Sequence, residues 1–122
     1  MALPLGAGSY GARVTDTIWA AVPAARAWLD TANGTDDAEL SSRILKLTEE
    51  SGEVATAWIG VLGTNPRKGV THTRREVADE LADVVVTALV AIESLGFDAR
   101  AVLDDCAVKV SGRLSEHAGL GQ

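Results

Sequence analysis

A segment of nine residues without charge, Val84–Ile92, most restricts how this chain can fold. Asp83 and Glu93 flank it, and it is too short to cross a membrane, which takes about 20 apolar residues in a helix. Its side chains are apolar almost all round, and a helix that is apolar on every face is buried on every face. A chain of 122 residues has few elements with which to cover it. We therefore expect a core helix and an assembly of at least two chains.

Composition indicates a single helical domain. The length of 122 residues matches one domain, and hydrophobic residues make up 47% of the chain, enough for a packed core. Eleven basic and 17 acidic residues give a net charge of −6. This balance argues against a nucleic-acid polymer as partner, because the phosphate backbone selects basic surfaces. The lone cysteine, Cys106, and the lack of a basic leader before a long apolar segment predict a cytoplasmic protein without a membrane anchor.

Apolar residues at helical spacing predict four helices within one all-α domain, residues 13–113. The Gly-rich residues 1–12 are expected to form a flexible arm, and residues 114–122 a flexible tail. The fourth helix is predicted to end near Gly112. Pro23 lies inside the first predicted helix and should kink it or divide it in two. The expected fold is therefore a four- to five-helix bundle.

Capping residues mark the starts of the second and third predicted helices. Asp36 is followed three residues later by Glu39, and Thr73 is followed three residues later by Glu76. Each pair has the spacing of a capping box.

Two of these helices carry side chains that we expect to point inward. On the second helix, residues spaced three and four apart predict one buried stripe: Ile44, Leu47, Ser51, Val54, Trp58 and Val61. On the fourth helix, the predicted inward residues are Ala101, Val102, Ala107 and Val108.

Acidic residues form a tight pair on each of the two central helices. At about 100° per residue, Glu50 and Glu53 lie about 60° apart on the second helix, and Glu80 and Asp83 repeat this spacing on the third. Glu49 adds a fifth carboxylate. If the helices pack antiparallel, the pairs can face each other and enclose a divalent cation. Oxygen ligands without His or Cys suit Mg²⁺ or Mn²⁺ and disfavour zinc.

A non-catalytic interpretation accounts for the same acids. They can be the solvated surface of a helical dimerisation or regulatory module. Gly52 favours a site, because a glycine inside a helix costs up to about 1 kcal/mol relative to Ala and is useful where a neighbour or ligand approaches closely.

The acidic residues stand in a sequence context that resembles a known family. The segments LTEESGEV (residues 47–54) and ELADVV (residues 80–85) are similar to the EExxE…ExxD signature of the MazG-like all-α nucleoside triphosphate pyrophosphohydrolases. The resemblance covers residues 41–113. It implies a dimer or dimer of dimers that uses Mg²⁺ to cleave nucleoside or deoxynucleoside triphosphates to the monophosphate and pyrophosphate. It also suggests a house-cleaning role in the nucleotide pool.

The resemblance also implies roles for the acidic residues. Glu49 would position or deprotonate the attacking water. The residues that would hold magnesium are Glu50, Glu53, Glu80 and Asp83.

Basic and aromatic residues near these helices are candidates for substrate binding. Lys46 lies on the acidic face, where it either touches phosphate or forms a helix-surface ion pair. Arg67 and Lys68 belong to a basic loop that either attracts a triphosphate or is simply solvated. Trp19 and Trp28, on the first helix, can stack on a base.

Two further basic residues, near the end of the fourth helix, are candidates for substrate binding only because of the resemblance. Family members carry a Lys followed four residues later by Asn. Lys109 matches that Lys, and Arg113 stands where the family has Asn.

Overall fold

A computed structural model describes the backbone of residues 7–120 and the side chains of residues 17–119. It contains four helices: α1 (Ala7–Asn33), α2 (Asp37–Leu62), α3 (Arg74–Ser94) and α4 (Ala99–Leu120). No strand occurs within residues 7–120, which confirms the all-α class. The main packing is that of α2 against α3, followed by α1 against α3, and α4 touches mainly α3. None of these helices is both long and apolar enough to cross a membrane.

The outer helices differ in extent from their predicted spans. Helix α1 runs unbroken through Pro23, so it is not divided in two. It begins at Ala7, inside the segment predicted as an arm, and residues 1–6 of that segment lie outside the described residues. Helix α4 continues to Leu120, so the predicted end near Gly112 is wrong. One glycine costs only about 1 kcal/mol in a helix, and no proline follows it here.

Both predicted caps are present. Asp36 Oδ1 accepts a hydrogen bond from the Glu39 backbone N–H at 2.9 Å. At α3 the capping box is complete: Thr73 Oγ1 accepts from the Glu76 N–H, and Glu76 Oε1 accepts from the Thr73 N–H. At α2 the Glu39 carboxylate accepts instead from Arg43 Nε at 3.0 Å. The sequence thus predicts where α2 and α3 begin, but at α2 the contact with Arg43 takes the Glu39 side chain away from the cap.

The buried core lies where α1 meets α3 and the start of α4. Its members are Val22, Leu89, Val90 and Ala99. Two of them belong to the segment Val84–Ile92, so the expected core helix is confirmed. Val85 and Val86 in the same segment are nevertheless exposed. A single chain therefore leaves one face of α3 uncovered.

The face of α2 that packs against α3 is rotated away from the predicted apolar stripe. The buried residues of α2 are Arg43, Glu50, Ala57 and Gly60. From the predicted stripe, Leu47, Val54 and Val61 are half-buried, whereas Ile44, Ser51 and Trp58 are exposed. The stripe is therefore only partly correct, because α3 packs on the flank of α2 that carries Arg43 and Glu50.

Beyond its buried first residue, Ala99, helix α4 lies on the surface. Every residue from 100 to 119 is exposed, and Val108 reaches 72%. The inward orientation predicted for Ala101, Val102, Ala107 and Val108 is therefore wrong for the single chain. The reason is that no other helix of the described chain covers α4.

Arg43 connects three helices through a buried guanidinium. Its side chain is only 5% exposed and donates to Asp30 Oδ1 at 2.7 Å, Glu39 Oε2 at 3.0 Å, Ser94 Oγ at 3.1 Å and the Gly34 carbonyl at 3.0 Å. Burial alone would lower the pKa of Arg43, but its hydrogen bonds to the two carboxylates and their charges outweigh burial and raise it. The charge is thus paired as well as buried, and it ties α1, α2 and α3 together.

Replacing Arg43 should destabilise the fold strongly. We expect Arg43→Met to lower the free energy of unfolding by about 3 kcal/mol or more, because Glu39 loses its cation in a partly buried place and Asp30 keeps only its pair with Arg26. Urea unfolding measures this. Arg75→Met is the control, since it removes only the exposed pair with Asp79 (2.9 Å) and should cost less than about 1 kcal/mol. Equal losses in the two variants would contradict the role given to Arg43.

Candidate functional site

The antiparallel packing of α2 and α3 brings the two acidic pairs together. Carboxylate oxygens of Glu50, Glu80 and Asp83 all lie within 4.8 Å of one another. Glu53 is one turn beyond Glu50, and the charges of Glu50 and Glu80 are near enough to raise its pKa, but its carboxylate is not one of these three. Three of the four residues predicted as metal ligands therefore converge, and Glu53 lies beside them; we call the four residues the acidic cluster.

The acidic cluster has a buried side and an open side. Glu50 is buried and Glu80 half-buried, whereas Glu53 and Asp83 are exposed. Glu80 Oε2 is buried without a hydrogen-bond partner among the described residues. Burial of an unpaired carboxylate oxygen is costly, and a cation held there would remove that cost. The donor set, all oxygen and open on one side, fits a hard divalent ion that keeps some of its water.

Crowding of negative charge raises the pKa of Glu53. The largest cause is the charge of Glu50, followed by partial burial and then by the charge of Glu80. The ionised form of Glu53 is therefore less favourable in the folded chain than in water. Any cation bound at the cluster would act against this repulsion.

Lys46 lies at one end of the acidic cluster. Its ammonium is 3.4 Å from a carboxylate oxygen of Glu50 and 3.6 Å from one of Glu49. The hydrogen bond to Glu50 and the charge of Glu49 raise the pKa of Lys46. The described chain thus has the ion pair that was one of the two alternatives for Lys46. Phosphate contact by Lys46 stays a prediction.

A cavity of about 280 Å³ lies beside Lys46, between α1, α2 and α3. We call it the apolar pocket, and its lining includes Ala25, Trp28, Leu29, Lys46, Val86 and Val90. Trp28 is 69% exposed, which leaves its ring accessible. Trp19, in contrast, packs against the core, with the Arg100 guanidinium 5.8 Å from its ring centre. The structure therefore brings one of the two candidate tryptophans to a cavity.

A second cavity, of about 400 Å³, lies between the last turns of α2 and the loop before α3. We call it the loop pocket, and its lining residues are Thr56, Ile59, Gly60, Asn65, Lys68, Gly69, Thr71 and His72. Lys68 of the predicted basic loop is among them. His72 and Thr71 are residues to which the sequence assigned no role.

Gly60 holds the loop close to α2. Its carbonyl accepts hydrogen bonds from the backbone N–H groups of Thr71 at 2.9 Å and His72 at 3.4 Å. A Cβ at Gly60 would overlap the His72 ring and the Thr71 hydroxyl. Gly60 lies inside α2, which continues to Leu62. Only the tertiary structure reveals that this glycine makes room for the loop.

The other candidate residues are less closely placed. Arg67 is exposed, and its backbone N–H donates to Asn65 Oδ1 at 3.0 Å. Lys109 and Arg113 lie on the exposed α4 and form no ion pair within residues 17–119. A Cβ at Gly52 would meet no atom within 4 Å. No neighbour within the described chain therefore approaches Gly52 closely, and the approach of a ligand there stays a prediction.

Removing the Glu53 charge should stabilise the metal-free protein in a pH-dependent way. The raised pKa means that ionised Glu53 opposes folding at pH 7. This unfavourable contribution disappears below about pH 4, where the carboxyl is protonated in both states. We expect Glu53→Gln to raise the melting temperature in EDTA at pH 7, with a gain that vanishes towards pH 4.

Glu49→Gln is the matched control for this measurement. It removes a neighbouring carboxylate that pairs with Lys46, so we expect no gain in melting temperature. An equal gain in both variants, or a gain for Glu53→Gln that does not change with pH, would contradict the assigned repulsion.

Comparison with known proteins identifies the family. The sequence model of the MazG nucleotide pyrophosphohydrolase domain matches residues 39–117. This range is more than half of the chain and includes the acidic cluster, Lys46 and the loop pocket. Searches of curated proteins and of solved structures find no match. With its four helices and its two converging acidic pairs, this chain belongs to the MazG nucleotide pyrophosphohydrolase domain family.

Proposed function

We propose that this protein is a Mg²⁺-dependent pyrophosphohydrolase that cleaves nucleoside or deoxynucleoside triphosphates to the monophosphate and pyrophosphate, with a house-cleaning role. The observation that carries the proposal is the convergence of Glu50, Glu80 and Asp83 within 4.8 Å. Membership of the family supports the class of reaction. A module with a merely solvated acidic surface would not need a buried carboxylate oxygen without a partner, as in Glu80.

The acidic cluster would hold the metal through Glu50, Glu53, Glu80 and Asp83. When bound, magnesium neutralises polyphosphate charge and makes water more acidic, and Mn²⁺ can substitute because the ligands are all oxygen. The buried Glu50 and Glu80 would fix the position of the site. The exposed Glu53 and Asp83 would leave it open to substrate from the solvent side.

Glu49 is the proposed proton acceptor. It is next to Glu50 in sequence, and its side chain is 64% exposed, so its carboxylate can reach water at the open side. In the reaction, the water oxygen bonds to the α-phosphorus while the bond from that phosphorus to the bridging oxygen breaks. Pyrophosphate leaves with the electron pair, and a Glu49 oxygen takes the proton from the water.

The apolar pocket is the proposed place of the base. Trp28 offers an accessible aromatic face, and stacking on an aromatic ring tolerates different bases. Lys46 lines this pocket and pairs with Glu50 of the acidic cluster, and its ammonium is the proposed contact of the phosphate nearest the sugar. Trp19, Arg67, Lys109 and Arg113 remain candidates for substrate contacts.

A second copy of this chain is the proposed partner, in a dimer or a dimer of dimers. One chain exposes apolar residues along α3 and α4 outside the apolar pocket: Leu81, Val85, Val108 and Leu114. Exposed apolar surface of this extent is typical of an interface. The acidic residues Asp104 and Asp105 precede the basic residues Lys109 and Arg113 on α4. An antiparallel pair of α4 helices would therefore set opposite charges against each other.

Nucleotide turnover is the first test of the proposed activity. The protein is incubated with Mg²⁺ and each member of a panel of canonical and noncanonical triphosphates, and phosphate is measured before and after addition of inorganic pyrophosphatase. We expect a signal only after that addition. No turnover across the panel would favour the non-catalytic module.

Two variants on α3 then test the acidic cluster. We expect Glu80→Gln to lower kcat/KM at least about 100-fold, because loss of a metal ligand costs several kcal/mol in the transition state. Asp79→Asn is the control, since it changes an adjacent but exposed carboxylate that pairs with Arg75. Full activity in Glu80→Gln would show that the cluster is not the site.

Sedimentation equilibrium tests whether a second copy of this chain binds. We expect dimers or tetramers of the wild type, and a shift towards monomer for Val108→Asp, because it buries an unpaired charge in the proposed interface. Ser115→Asp adds the same charge at an exposed polar position of α4 and is the control. A wild type that stays monomeric at tens of micromolar would contradict the assembly.

A further inference from the structure

The two cavities and the acidic cluster lie in a row along α2. Lys46, Glu53 and Gly60 follow one another at seven-residue intervals. Seven residues of helix advance by about 10.5 Å and rotate by only about 20°, so the three residues share one face. Lys46 lines the apolar pocket, Glu53 belongs to the acidic cluster, and Gly60 lines the loop pocket. The acidic cluster is therefore flanked by one cavity on each side.

The two cavities differ in chemistry. The apolar pocket presents Trp28 and aliphatic side chains. The loop pocket is lined by Lys68 and by polar residues whose side chains are already engaged: Thr56 Oγ1 donates to the Gly52 carbonyl at 3.1 Å, and Thr71 Oγ1 is hydrogen-bonded with His72 Nδ1 at 2.8 Å. Lys68 forms no ion pair among residues 17–119. Its charge is therefore available to an anion, and an ammonium suits phosphate oxygens.

We propose that the loop pocket binds the β- and γ-phosphates of a nucleoside triphosphate, with Lys68 as the cation that contacts them. The proposal rests on the proposed function, because it uses the acidic cluster as the place of cleavage. A nucleotide whose base occupies the apolar pocket and whose α-phosphate lies at the cluster extends its remaining phosphates towards Lys68. A diphosphate has only one phosphate to place there. The loop pocket therefore selects triphosphates over diphosphates.

The backbone of the loop pocket is held in place without a ligand. The Gly60 carbonyl accepts from the N–H groups of Thr71 and His72, and the Asn65 carbonyl accepts from the N–H groups of Lys68 and Gly69 at 3.1 and 2.9 Å. Fixing a binding loop before the ligand arrives reduces the entropy lost on binding. Lys68 is thus presented from a constrained turn at one end of the acidic cluster.

Steady-state kinetics with a triphosphate and the diphosphate of the same base test the proposal. Lys68→Met removes the charge and keeps an unbranched side chain. We expect it to raise KM for the triphosphate at least about tenfold, the usual worth of one charge-assisted hydrogen bond, and to change KM for the diphosphate less. Lys68→Arg should retain most of the affinity. Arg75→Met, which removes a charge paired outside the pocket, is the control and should behave as wild type.

Binding of inorganic pyrophosphate in the presence of Mg²⁺, measured by calorimetry, gives a readout that does not need turnover. We expect Lys68→Met to weaken it at least about tenfold and Arg75→Met to leave it unchanged. If the wild type hydrolyses triphosphates and Lys68→Met equals it in KM and in pyrophosphate affinity, the phosphate-binding role of the loop pocket is wrong and the proposed function stands. If the wild type has no turnover but binds pyrophosphate more tightly than Lys68→Met does, the proposed function is wrong and the phosphate-binding role of the loop pocket is supported.

Discussion

The alignment of α2 against α3 is the constraint on which the rest of this structure depends. At one end Arg43 bonds to Ser94 and to Asp30, so that three helices meet at a single guanidinium. At the other end the Gly60 carbonyl holds the loop that leads into α3. Because contacts fix α2 against α3 at both ends, the residues in the middle of the two helices pack in one register. That register places Glu50 opposite Glu80.

This arrangement concentrates negative charge that a folded chain would otherwise keep apart. Five of the 17 acidic residues belong to the acidic cluster or lie beside it, so the rest of the chain is close to neutral. The effect is visible in the raised pKa of Glu53 and in the unpartnered oxygen of Glu80. The strain is local, and it lies where a divalent cation would relieve it. This supports the proposal that the acidic excess of the chain belongs to a cation site and not to a solvated surface.

Much of the fold and of the acidic cluster was predictable because both follow from local spacing. Capping residues set the start of a helix within one turn, and the interval of three between acids puts them on one side of it, wherever the helix later packs. The buried face of α2 was only partly predictable. Apolar periodicity predicts that Ile44 is buried, whereas Arg43 is buried in its place because its charge is paired with groups distant in sequence. The inward orientation predicted for α4 was wrong for a related reason, since the described residues of one chain leave residues 100–119 exposed.

The sequence by itself determined four helices, the all-α class and the identity of the acidic residues that converge, because helix geometry converts spacing into faces. Only the tertiary structure decided that the cluster has a cavity on each side, and that Gly60 and His72 shape one of them. The loop folds back on α2 through backbone hydrogen bonds and a close approach that requires a missing Cβ. Such contacts depend on how two distant segments meet in space, and no periodicity in the chain records them.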